Sequence, residues 1–209
     1  FNKGVITIDM TNAIPKFPPQ LVVGSGDDGD NTTLDMNLGN NLTPTPAVSG
    51  TGIEAKSHAS INLTIGDNSE FTIDSLVLHT RASFTLTGGG TLIVEGEITC
   101  KQGSKLNIEE GICICEKLHL HSSEEAPSNN TMLTLGSLDN TIAQLYTKYA
   151  FYESEFSGET PDKKPVALSP VYQNMYYNST MVVGRCDGSG NRLAAQVNPE
   201  GENSTDEGP

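Results

Sequence analysis

Four bases recur at corner-like positions along the chain: Lys56 in KSHAS, His79 in HTRAS, Lys101 in KQGS and His121 in HSSE, spaced 23, 22 and 20 residues apart. The chain carries only 12 Lys and Arg and 4 His, so bases placed this regularly invite a chemical reading. Leu78, Cys100 and Leu120 precede the last three. If those residues face inward, the bases after them face outward and stack in a column. A column of cationic and titratable side chains can hold a carboxylate-bearing polymer such as a uronate chain. His58 and Arg81 stand two residues beyond the first two corners, and His119 lies beside the row. The ligand-binding set is then Lys56, His79, Arg81, Lys101 and His121, with binding that weakens in salt and strengthens on acidification. The same residues also read as solvated corner side chains whose Ser neighbours satisfy turn backbone, and a His-based metal site is a third reading.

A second cluster, GDDGDN at 26–31, gathers Asp27, Asp28, Asp30 and Asn31 in a Gly-rich turn. Oxygen donors on a flexible loop suit Ca2+, which takes six to eight of them. The spacing is not that of an EF-hand, and an ordinary solvated turn accounts for the same residues. Asp187 and Asn191 in CDGSGN have the same look. No cofactor is required by either reading; calcium is the one ion the donors suit.

Catalytic patterns are thin. Glu95 and Glu97 have the i, i+2 spacing that puts two carboxylates on one face of a strand, with Glu116 as a neighbour. Hydrolysis of a glycosidic bond needs such carboxylates across one groove, but no N-x-D followed by DD occurs in the repeat. Only Arg81 among the three arginines falls there. No nucleophile elbow, His-Glu-x-x-His or phosphate loop is present. These residues argue for a binding role over an enzymatic one.

The elements that must position the column follow from the same spacing. Each corner is preceded by a short alternating strand (GIEA, SLVL, EITC, KLHL), and the first three lead into another (INLTIG, FTLTG, KLNIEEG). A third strand lies between: SEFTI, TLIV and ICIC. Three short strands per 20 to 23 residues predict an all-β, right-handed parallel β-helix, a solenoid whose stacked rungs bury what no single rung can. Alternation places Leu63, Ile65, Phe71, Ile73, Leu76 and Leu78 inside the first clear rung. Phe84, Leu86, Leu92, Val94, Ile98 and Cys100 follow, then Leu106, Ile108, Ile112, Ile114, Leu118 and Leu120. Leu63, Leu86 and Leu106 are expected in one inner column. The rungs are clearest over 51–137 within a domain at 1–160. GVITIDM, LVVG and TTLDMNLG read as earlier strands, SSEEAPSNNT as a lateral insertion, and TIAQLYTKYAFYESEF as a last rung or a capping helix. Residues 161–198 read as further strands packed on the domain, and 199–209 as an acidic mobile tail.

Composition narrows the partners. The 209 residues carry a net charge of −14, and neither nucleic acid nor an anionic membrane suits such an acidic chain. No apolar run is long enough for a membrane helix. Trp is absent, and 21 Gly suit many short strands joined by turns. Four Cys make no disulfide scaffold, and Cys113 and Cys115 would point the same way in a strand, so they read as small hydrophobes. The chain opens at Phe1 without Met or a signal-peptide pattern, as a trimmed or mature chain would. Sequons begin at Asn31, Asn41, Asn62, Asn129, Asn178 and Asn203.

With its three-strand units, the chain resembles right-handed parallel β-helix proteins that bacteria secrete or display, over 51–137 best, and among them the uncharacterised and carbohydrate-binding members. That resemblance rests on the repeat pattern and implies a secreted or cell-surface location. It spans pectate lyases, polygalacturonases, adhesins and noncatalytic polysaccharide binders, and fold does not choose among these. The expected function is a noncatalytic binding or adhesion module for an acidic polysaccharide or a surface protein. A β-helix lyase or hydrolase is the alternative, and a structural stalk the third.

Overall fold

The computed structural model describes residues 4–11, 18–27, 31–42, 51–122, 131–139, 141–154, 172–175, 178–183 and 195–196. Its strands begin with β1 (Gly4–Met10), β2 (Gln20–Val23), β3 (Thr32–Leu38), β4 (Gly52–Ala55), β5 (Ser60–Ile65), β6 (Glu70–Ile73), β7 (Ser75–Leu78) and β8 (Ser83–Thr87). There follow β9 (Thr91–Cys100), β10 (Lys105–Ile108), β11 (Gly111–Ser122), β12 (Met132–Leu135), β13 (Ala143–Ser154), β14 (Tyr172–Met175), β15 (Ser179–Val183) and β16 (Ala195–Gln196). The protein is all-β, with no helix among the described residues.

Two sheets hold these strands. The first runs β1-β3-β5-β8-β10-β12-β14, and the second runs β2-β4-β7-β9-β11-β13-β15-β16 with β6 also paired to β9. Every pairing is parallel except β15 with β16. Parallel neighbours cannot be joined by a tight hairpin, so each sheet is assembled from residues one repeat apart. Ser60 lies opposite Ser83, and Ser83 opposite Lys105, which are separations of 23 and 22 residues. Longer steps, from Thr33 to Ser60 and from Lys105 to Met132, flank this block and contain the Pro-rich and SSEEAPSNNT segments. The segment 141–156, read as a rung or a helix, supplies strand β13. β14 and β15 carry both sheets past residue 160, and residues 199–209 lie outside the described residues.

Two of the three strands expected in each unit stay separate as β6 and β7 in the first and merge into one strand in β9 and β11. Thr91–Val94 of β9 pairs with β6, and Ile98–Cys100 of the same strand pairs with β7. β11 follows β9 along both parts, with a register shift between Cys115 and Lys117. That shift corrects the inward assignments of the third repeat. Cys113 and Cys115 are buried, while Ile112 and Ile114 are only half-buried and face outward. GICIC is apolar throughout, so alternation in the sequence could not choose a face, and the bend flips the parity before Leu118 and Leu120. Cys100, Cys113 and Cys115 are buried and make no disulfide, and burial pushes the Cys100 thiol far above its ordinary range.

A second correction concerns the inner columns. Leu63 lies opposite Leu86, but Leu86 lies opposite Ile108, and Leu106 belongs with Ile61, Phe84 and Leu133. Register is set by the first residue after each corner, so counting starts at Ser60, Ser83 and Lys105. Leu63, Leu86, Ile108 and Leu135 are all within 1% of complete burial, each side chain contributing about 1.5–3 kcal/mol by leaving water.

The corners themselves have a backbone cause. Ala59, Ala82 and Ser104 donate their amides to the carbonyls of Lys56, His79 and Lys101 at 2.9, 2.9 and 3.0 Å. The third residue of each such turn is left-handed: His58 at φ 64°, Arg81 at 60° and Gly103 at 69°. The fourth is a small, fully buried side chain, Ala59, Ala82 or Ser104. A base followed closely by Ala or Ser is therefore first a turn: a positive-φ residue, then a side chain small enough to tuck inside.

Candidate functional site

The outward face of the second sheet positions the bases. Ala55 lies opposite Leu78, Leu78 opposite Cys100, and Cys100 opposite Leu120. The next residues are Lys56, His79 and Lys101, each directly after the end of β4, β7 or β9, and His121 within β11, so all four occupy one register position. The backbone confirms the stacking, with His79 N donating to Ala55 O at 2.9 Å and Lys101 N to Leu78 O at 2.8 Å. All four side chains are half-buried rather than fully exposed. The parallel register spaces neighbours by about 4.8 Å.

Arg81 and His58 stand apart from this column. They are the left-handed residues of the corners, and Arg81 Nη1 approaches His58 Nε2 at 3.4 Å. A non-glycine residue in that backbone region carries a strain of about 1–2 kcal/mol.

One carboxylate dominates the column's electrostatics and was not among the sequence-derived site residues. Glu54 Oε1 receives Lys56 Nζ at 2.6 Å and contacts His79 Nε2 at 2.5 Å, and Gln20 Nε2 donates to Oε2 at 3.1 Å. Its side chain is 16% exposed. Partial burial pushes the Glu54 carboxyl upward, but hydrogen bonds and charge from Lys56 and His79 outweigh this and hold it below the ordinary carboxylate value. The signal was present: Glu54 and Lys56 are two apart on an alternating strand and must share its outer face.

A second acid–imidazole pair lies farther along the sheet. Glu97 Oε1 accepts from Thr99 Oγ1 at 2.7 Å and contacts His119 Nδ1 at 3.2 Å. The His119 and His121 rings stack with centroids 4.4 Å apart. Burial raises the Glu97 carboxyl, yet the hydrogen bonds from Thr99 and His119 and the charges of His119 and Lys117 leave it lowered overall. Glu95 is exposed and Glu97 half-buried, between the inward Val94 and Ile98 of β9. Glu116 faces Lys148 Nζ at 3.6 Å. Glu97 and Glu116 thus have different partners.

At the acidic turn, Asp27 and Asn31 are exposed, and Ser25 Oγ donates to Asp27 Oδ2 at 3.2 Å. Asp28 and Asp30 lie outside the described residues, as do Asp187 and Asn191. Among the described residues no three His, Cys, Asp or Glu side chains gather as metal ligands. Comparison with protein-family models, curated proteins and solved structures yields no match to this chain.

Proposed function

We propose that the two parallel sheets belong to a right-handed β-helix with three short strands per turn, and that the chain is a noncatalytic binding module of a secreted or cell-surface protein. Its ligand is an extended acidic polysaccharide lying across the strands of the second sheet. The observation that carries this reading is the shared register of Lys56, His79, Lys101 and His121. Strand stacking requires turns at that position, yet it does not require bases there, and like charges one strand apart are mildly unfavourable unless something compensates them. A polyanion running along the column is such a compensation, and the repeat of strands suits a repeating ligand. The 22- and 23-residue steps and parallel pairing support closure into a β-helix.

The test is titration of oligogalacturonate into the protein beside a neutral galactan oligomer of the same length. The expected result is uptake of the acidic oligomer alone, weakening as salt is raised, with no unsaturated or reducing-end product released. Equal affinity for the neutral oligomer, or turnover of the acidic one, would replace this reading.

A further inference from the structure

The four bases of the column do not have equal surroundings. Lys56 and His79 converge on the same oxygen of Glu54, with Gln20 on the other. The position of Glu54 on its strand corresponds to Val77, then Thr99, then His119 on the following strands. Beside Lys101 the equivalent side chain is therefore a hydroxyl, not a carboxylate. Glu97 is four residues from Lys101 along β9, about 13 Å of extended strand, and its Oε1 is engaged by Thr99 and His119. Among the described residues, Lys101 has no carboxylate within ion-pair distance.

Resting on the polysaccharide reading above, we infer that the uronate-binding subsite is the part of the column at Lys101, directly after β9. Glu54 occupies the other part as an internal stand-in for the ligand's carboxylate. A uronate reaching Lys56 and His79 must displace Glu54, which already supplies charge, hydrogen bonds and short range. At Lys101 no described carboxylate competes with it. The half-buried setting raises the value of that contact above that of a fully exposed one, because nearby protein lowers the local dielectric.

The experiment compares Lys101→Gln, Lys56→Gln and Glu54→Gln in titrations with trigalacturonate, each variant first shown to melt cooperatively. Lys101→Gln should weaken binding by about tenfold, the size of one charge-assisted hydrogen bond. Lys56→Gln should weaken it clearly less. Glu54→Gln should tighten it about threefold, by releasing Lys56 and His79 and removing a like charge from the ligand's path. Equal losses from the two Lys variants would overturn the subsite and leave the polysaccharide reading standing. Loss of affinity in a folded Glu54→Gln protein would do the same. No binding of trigalacturonate or longer oligogalacturonate by the unaltered protein would remove the reading itself. The two Lys variants alter partly exposed side chains, so their comparison holds even if Glu54→Gln melts early.

Discussion

The outward faces of the two sheets are built by one stacking rule and carry opposite chemistry. On the first sheet the central positions are short and largely neutral. Ser83 Oγ donates to Ser60 Oγ at 2.9 Å, Thr64 and Thr87 share a hydroxyl contact at 2.9 Å, and Asn107 Nδ2 donates to Thr85 Oγ1 at 3.3 Å. Charge enters with Asp9, with Asp35, which accepts from Asn62 at 2.8 Å, and with Lys105. On the second sheet the corresponding positions hold Glu54, Lys56, His79, Glu97, Lys101, His119 and His121. Neutral ladders suit parallel stacking: in these pairs a short polar side chain hydrogen-bonds the one opposite it one strand away. The charged face departs from that minimum, which makes it the face where something beyond folding must be sought.

The largest expected effect tests what the faces share. Leu86 sits in the inner column between Leu63 and Ile108 and is fully buried. Leu86→Ala should cost about 2–5 kcal/mol through lost burial and the cavity left behind, read as a fall in the urea midpoint. Because one core supports both sheets, probes on either face should report the same transition. Separate transitions would mean that the faces are not one cooperative unit, and the comparison would have to be drawn between independent parts.

A smaller effect separates the faces by pH. Glu54 and Glu97 have carboxyls held below the ordinary value of 4.5. A depressed folded value means that ionisation favours the folded state. The stabilisation is present above the unfolded value and is lost as pH falls through the folded ones. Replacing both by Gln should lower stability at neutral pH by on the order of 1 kcal/mol per lost charged hydrogen bond. It should also flatten the decline below 4.5 relative to the unaltered chain. Substituting Asn62 by Ala on the first sheet should leave the shape of that decline unchanged. An undiminished acid limb in the double variant would show that the carboxylates of the second sheet are not its source.

The sequence made the repeat legible because turn and strand signals recur with it, and parallel pairing of the strands around residues 60–122 follows. It was less informative wherever two physical requirements met at one residue. GICIC is apolar on both faces, so only the backbone bend at Cys115–Lys117 decides that the thiols go inside. His58 and Arg81 have the side chains of a binding site but occupy left-handed corners, a role that the glycine at 103 declares openly and they do not. Glu54 was visible as a strand residue, yet its role depends on His79 being one strand away, and that adjacency lies 25 residues off in the chain. The column of bases could be read from spacing; what neutralises part of it could not, because charge pairing across strands needs the register first.

The smallest expected effect sharpens the contrast most directly. Thr64 and Thr87 are opposite each other on β5 and β8, and Glu54 and His79 meet across β4 and β7. A double-mutant cycle with Thr64→Val and Thr87→Val should give a coupling of about 0.2–1 kcal/mol, the usual range for a cross-strand pair. Val keeps the β-branched shape and removes only the hydroxyl, so the cycle reports the hydrogen bond rather than a cavity. Neither group is charged, and the coupling should be the same in low and high salt. The cycle with Glu54→Gln and His79→Gln, measured in parallel, should shrink as salt rises, since part of that interaction is between charges at a partly exposed site. Salt dependence in the Thr pair, or its absence in the Glu–His pair, would erase the distinction between a face that only stacks and a face that holds charge in place.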